Sequence, residues 1–96
     1  MIGIIAILTA RDGHGEPLAT ALQEAARLVR ANEPGCLFYQ VTRSRTDPNV
    51  FKLLEAYESQ EALDAHRTTA HFPVISASLA PHLGSAPQVE FLDALG

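Results

Sequence analysis

The segment from Ile2 to Ala10, IGIIAILTA, constrains the fold more than any other stretch of the chain. Strand alternation places Ile2, Ile4, Ala6 and Leu8 on one side and Gly3, Ile5, Ile7 and Thr9 on the other. Both sides are apolar, and a strand of that kind must be covered on both. The chain has 96 residues. A chain of that size buries only about 60–65% of its unfolded surface, enough for one core and not two. One layer of helices covers one face of a sheet, so the other face needs a cover from outside the chain.

Beyond a polar loop, Pro17 suits the first turn of a helix, where its missing N–H costs nothing. Leu18, Leu22, Ala25 and Val29 then recur at helical spacing, with Ala21 and Leu28 widening the stripe. Pro34 ends this helix and Gly35 turns the chain. CLFYQVTRS over 36–44 reads as a strand, with Cys36 and Phe38 on one face and Leu37 and Tyr39 on the other. Arg45 to Asn49 is a turn, and 50–58 returns as the second strand of a hairpin, with Phe51, Leu53, Glu55 and Tyr57 sharing a face. Ser59 caps a helix whose inward stripe is Ala62, Leu63, His66 and Ala70. The pattern breaks near Thr68 and Thr69, where a hydroxyl is placed to cap a fresh turn, and Pro73 opens a second helical piece. Gln88 to Leu95 alternates as a last strand.

The order β-α-β-β-α-β is that of the split βαβ unit. The predicted fold class is α+β: a ferredoxin-like βαββαβ sandwich with an antiparallel four-stranded sheet, built by one domain over 1–96. An uncovered apolar sheet face marks an interface. Its expected cover is a second copy of the chain, in a twofold homodimer whose sheets meet face to face.

Seven Lys and Arg against eleven Asp and Glu give a net charge of −4. That sign disfavours sequence-independent nucleic-acid binding. No apolar run approaches the roughly 20 residues of a membrane-spanning helix, so no membrane partner is expected. The opening lacks the basic flank and cleavage site of an export signal, and a cytoplasmic location is the expectation. Cys36, the one cysteine, cannot form an internal disulfide. It reads as a small buried hydrophobe.

Glu33-Pro34-Gly35-Cys36 followed by Tyr39, then Asp47-Pro48 and Phe51, then Glu55, Tyr57, Ser59, Ala62, Leu63, His66 and His71-Phe72, resembles the antibiotic biosynthesis monooxygenase (ABM) domain. The likeness spans essentially the whole chain and rests on the ordered combination of these pieces. It implies a dimeric α+β barrel with a cavity between each sheet and its helices. It also implies one of several activities: cofactor-independent oxidation of quinols or anthrones, haem degradation, or isomerisation of a sugar phosphate. The expected function on this resemblance is cofactor-independent oxidation of a quinol or polycyclic phenol by dioxygen. The alternative is a non-catalytic, small-molecule-binding or regulatory dimer, with haem degradation and isomerisation as further members of the set. Haem-degrading members resemble one another in a pocket Trp, and this chain has none, so haem is the lesser expectation for a cofactor. Isomerase chemistry needs a cationic phosphate site, and the inward positions show no clear Arg or Lys.

An electron-rich phenol can react with dioxygen without a metal once it is deprotonated. The protein must then supply a dry aromatic pocket, a proton acceptor and an oxyanion donor. His66 is the leading base, on the inward stripe with Leu63; the structural alternative is a histidine satisfied by a backbone carbonyl. Glu55 is the second catalytic candidate, a carboxylate among Phe51, Leu53 and Tyr57 that is either paired or raised in pKa. Its structural alternative is an anchoring ion pair. Tyr39, Tyr57, His71 and Phe72 are the expected substrate-binding residues, or else core side chains. Five positions separate His66 from His71, unlike a zinc-binding pair at i, i+4. No cysteine or carboxylate stands at a supporting spacing, so no metal is expected.

Overall fold

The computed structural model describes residues 1–96. In chain order the elements are β1 (Ile2–Thr9), α1 (Gly15–Asn32), β2 (Cys36–Arg43), β3 (Val50–Tyr57), α2 (Gln60–Arg67), α3 (His71–Leu79), a 3-10 turn (Ala80–His82) and β4 (Gln88–Asp93). The strands form one antiparallel sheet in the order β2-β3-β1-β4. This is the ferredoxin-like α+β sandwich expected from the element order. β1 lies between β3 and β4, which accounts for its run of β-branched residues.

The helices pack on one face. Ile4, Ala6 and Leu8 turn toward them and are 6%, 7% and 3% exposed. Leu18, Leu22, Ala25 and Val29 of α1 and Ile75 of α3 pack with Ala6 and Leu8, while Ile4 packs with Tyr57 and Leu63. The stripe read from the sequence is therefore the stripe that is buried. On the opposite face Ile5 and Ile7 lie beside Leu54 and Lys52 of β3. Phe38, Leu54 and Leu92 are exposed there. Within one chain nothing covers this face.

Ser59 caps α2 as expected, its Oγ accepting the N–H of Ala62 at 3.1 Å. The hydroxyls of Thr68 and Thr69 do not cap a new helix. They donate backward to the carbonyls of Ala65 and His66 and close α2. Because α2 stops at Arg67, Ala70 leaves the inward stripe and is exposed.

Two further expectations change. Strand β2 carries a bulge between Cys36 and Phe38, an extra residue that breaks simple alternation. Cys36 therefore joins Tyr39 on the helix side, and Leu37 and Phe38 are both exposed. β4 ends at Asp93 rather than Leu95 and is exposed along its length. No helix lies squarely over it, and a gap opens between it and the α2–α3 pair.

Gly35, after α1, allows a close approach. A Cβ there would stand 2.6 Å from Cβ of Ala62. The turn thus presses directly on α2, the helix that carries His66.

Candidate active site

The gap beside β4 is a cavity of about 230 Å³. β1 and β3 give it a floor of Ile4, Ala6, Leu8 and Leu53, and Leu63, Phe72 and Ile75 form its roof. Against this apolar lining stand Tyr39, Glu55, His66, Arg67 and Ser76.

Leu63 anchors α2 in the core at 2% exposure, and His66 follows one turn later on the same face. Its ring sits among aromatics, with centroids 5.3 Å from Tyr57, 5.2 Å from Phe72 edge-on and 6.5 Å from Tyr39. Nδ1 of His66 lies 2.7 Å from Oε1 of Glu33. The other oxygen of Glu33 is bonded to Nε2 of His71. Carboxylate oxygens accept, so both imidazoles donate to Glu33. In the neutral ring of His66 this places the proton on Nδ1 and leaves the lone pair on Nε2. No protein group is bonded to Nε2.

Glu33 is the C-cap residue of α1, its own N–H still bonded to the carbonyl of Val29. Pro34 behind it stops the helix. The chain end of α1 thus delivers a carboxylate, 8% exposed, to the joint between α2 and α3.

Glu55 faces Ile4 across β1 and Tyr39 across β2. Tyr57 donates its hydroxyl to it at 2.8 Å. Burial pushes the Glu55 carboxyl up to about 7, the Tyr57 bond opposing and the charge of Glu33 adding to the rise. Burial, with the charge of Glu55 next, also holds the hydroxyls of Tyr39 and Tyr57 well above their usual range. Both are neutral donors. Burial likewise raises the Cys36 thiol, which suits a packed side chain rather than a nucleophile.

Of the residues singled out from the sequence, His66, Glu55, Tyr39 and Phe72 meet on the cavity wall. Tyr57 and His71, expected to bind substrate, do not reach this wall and stand behind it. Tyr57 is fully buried and holds Glu55; His71 holds Glu33. Arg67 does line the cavity, where no inward cation was expected, with its guanidinium 5.3 Å over the Phe91 ring. Glu33 had no assigned role, although it stands in the Glu-Pro-Gly-Cys run. Its partners are 33 and 38 positions away, beyond any local spacing rule. It supplies the carboxylate missing beside the two histidines: ligand atoms of Glu33, His66 and His71 all lie within 4.8 Å of one another.

A larger groove of about 410 Å³ runs between α1 and β2. Its two cations are already satisfied, Arg43 by Glu16 and the Pro48 carbonyl and Arg30 by the Tyr39 carbonyl. It offers no poised base. No helix is long and apolar enough to cross a membrane.

Comparison with known proteins agrees with this fold. The profile of the family described as "Antibiotic biosynthesis monooxygenase" matches residues 1–77. A Caulobacter crescentus CB15 protein bearing that family's name is 40% identical, with a TM-score of 0.93 over 99% of this chain and 90% of the other. PA3566 from Pseudomonas aeruginosa is 30% identical, with a TM-score of 0.88 over 99% of this chain and 94% of that one. A Nitrosomonas europaea protein, 24% identical and covered in full on both sides, superposes with a TM-score of 0.91 and speaks for the fold alone. No curated protein matches the chain.

Proposed function

We propose that this chain, which belongs to the antibiotic biosynthesis monooxygenase family, oxidises a quinol or polycyclic phenol with dioxygen and needs no cofactor. The observation that carries the reading is His66 on the cavity wall, with Nδ1 held by Glu33 and Nε2 free. A buried carboxylate behind an imidazole fixes its tautomer and stabilises the imidazolium formed when it takes a proton.

A phenol in the cavity gives its hydroxyl proton to Nε2 of His66. The phenolate passes one electron to dioxygen, and the resulting radical pair joins to form a C–O bond. The peroxide forms at a ring carbon that carries hydrogen and takes back the proton held by His66. A base then removes the C–H proton as hydroxide leaves, giving a carbonyl and water, so that one oxygen atom of dioxygen stays in the product and the other leaves as water. Tyr39, neutral and on the wall, donates to the substrate oxygen and stabilises the phenolate. Glu55 takes the second proton-handling role. The apolar lining keeps water from the radical pair. At about 230 Å³ the chamber lies below the roughly 300–1,000 Å³ of sites for drug-sized ligands, which favours a substrate of few rings.

The cavity is open and His66 is bonded to a carboxylate rather than to backbone. Both observations favour turnover over passive binding. The partner we propose is a second copy, seated on the open face that carries Ile5, Ile7 and Leu54. Oxygen uptake with a panel of quinols, comparing the natural chain with His66→Ala, tests the mechanism. A drop of about 10²–10⁴-fold is expected for loss of a general base, and equal rates remove His66 from the reaction.

A further inference from the structure

We propose that Glu33, His66 and His71 also form a binding site for a divalent transition-metal ion of the zinc type, and that an ion there silences the base. The second half rests on the reading of His66 given above; the first does not.

Three observations lead to it. The ligand atoms of the three side chains lie within 4.8 Å of one another, so that small side-chain rotations would close them onto an ion whose bonds run about 2.0–2.2 Å. Two imidazole nitrogens and one carboxylate are a donor set that first-row ions such as zinc prefer over calcium or magnesium. The site also has an approach. On the side away from the substrate cavity, Glu33 and His66 border a depression of about 250 Å³ that Glu58 and Glu61 also line, with no Lys or Arg in its wall. Such a negative cleft concentrates cations.

The ion would lie behind His66 and outside the substrate chamber, since neither Glu33 nor His71 is part of that chamber's wall. The consequence follows from imidazole chemistry. A neutral ring with the metal on Nδ1 carries its proton on Nε2. The proton moves from one nitrogen to the other and none is lost. Nε2 then donates into the cavity and cannot accept the substrate's proton. The ion is an inhibitor here, not a cofactor.

The test uses the whole chain, stripped by a chelator. Cobalt(II) absorption and zinc(II) calorimetry are expected to show one ion per chain. Glu33→Gln and His71→Gln should each weaken it at least about tenfold, the low end of what disturbing even an outer ligand costs. Zinc should also suppress oxygen uptake, and chelator should restore it. A natural chain that binds neither ion saturably overturns the site, as do two variants that bind zinc as the natural chain does. Saturable binding with turnover unchanged overturns the silencing step. Binding by a metal-free chain that oxidises no quinol supports the site and counts against the oxygenase reading instead.

Discussion

His66 and Glu33 stand 33 positions apart in the chain, yet Nδ1 of one lies 2.7 Å from Oε1 of the other. Their side chains are 11% and 7% exposed, so water competes little for the bond. A helix end and a helix face, made separately, meet to set one ring nitrogen toward the cavity.

Glu33→Gln should break that setting, since an amide presents an acceptor to only one of the two rings. The expected outcome is a fall in kcat with little change in KM, together with a stability loss of about 1–3 kcal/mol for an N–H left unpaired. Steady-state oxygen uptake and urea unfolding check it. A stability loss with kcat intact would leave Glu33 a purely structural residue.

Glu55 should make stability depend on pH. Its carboxyl titrates at about 7 in the folded chain against an ordinary value of 4.5, so the folded state holds the proton more tightly. That contribution is complete below pH 4.5, shrinks as pH rises, and is gone above about 7. Its full size is up to about 3 kcal/mol. Urea unfolding at pH 5 and pH 8 should show the loss in the natural chain and a flatter profile in Glu55→Gln. Equal slopes in the two would refute the assignment.

Tyr57→Phe should push the Glu55 midpoint higher still. The Tyr57 hydroxyl is the group that favours the charged carboxylate, and removing it leaves burial unopposed. Carboxyl carbon NMR across the pH range reads this directly. A midpoint that moves down would contradict the bond.

Gly35→Ala should destabilise the chain by about 1–3 kcal/mol, the scale of overpacking, because its Cβ meets Ala62 at 2.6 Å. Turnover should fall with it, since α2 carries His66. Adding Ala62→Gly removes the offending carbon and should restore the rate. Thermal melts and uptake of the double variant decide it, and no rescue would place the strain elsewhere.

Leu54→Glu should split the proposed dimer. Leu54 is 37% exposed on the sheet face away from the helices, beside Ile5, and a charge there cannot be buried against a twin surface. Light scattering should give a dimer for the natural chain and a monomer for the variant. A natural chain that is monomeric would refute the interface.

Much of this architecture was legible because periodicity carries it. The two-faced alternation of Ile2 to Thr9 announced a central strand, and Leu18, Leu22, Ala25 and Val29 announced the helix that covers it. Glu55 was legible as a carboxylate on an apolar strand face, and His66 as a polar residue on an inward stripe. The bulge at Leu37 was not, because a single extra residue leaves no mark on composition. Nor was the Glu33 bridge, which depends on three chain segments meeting. The place of Arg67 is not legible in the sequence because it follows from the bare flank of β4, a property of packing rather than of spacing.

The strand order has a consequence for how the molecule is made. Ile2–Thr9 is translated before either of its neighbours, and it pairs with Val50–Tyr57 on one edge and Gln88–Asp93 on the other. At ribosomal speeds of about 5–20 residues per second, this apolar ribbon waits several seconds for its second flank. The nascent chain is stickiest during that interval, and a stalled or truncated product lacking the last strand would keep an edge ready to pair with its neighbours on the polysome.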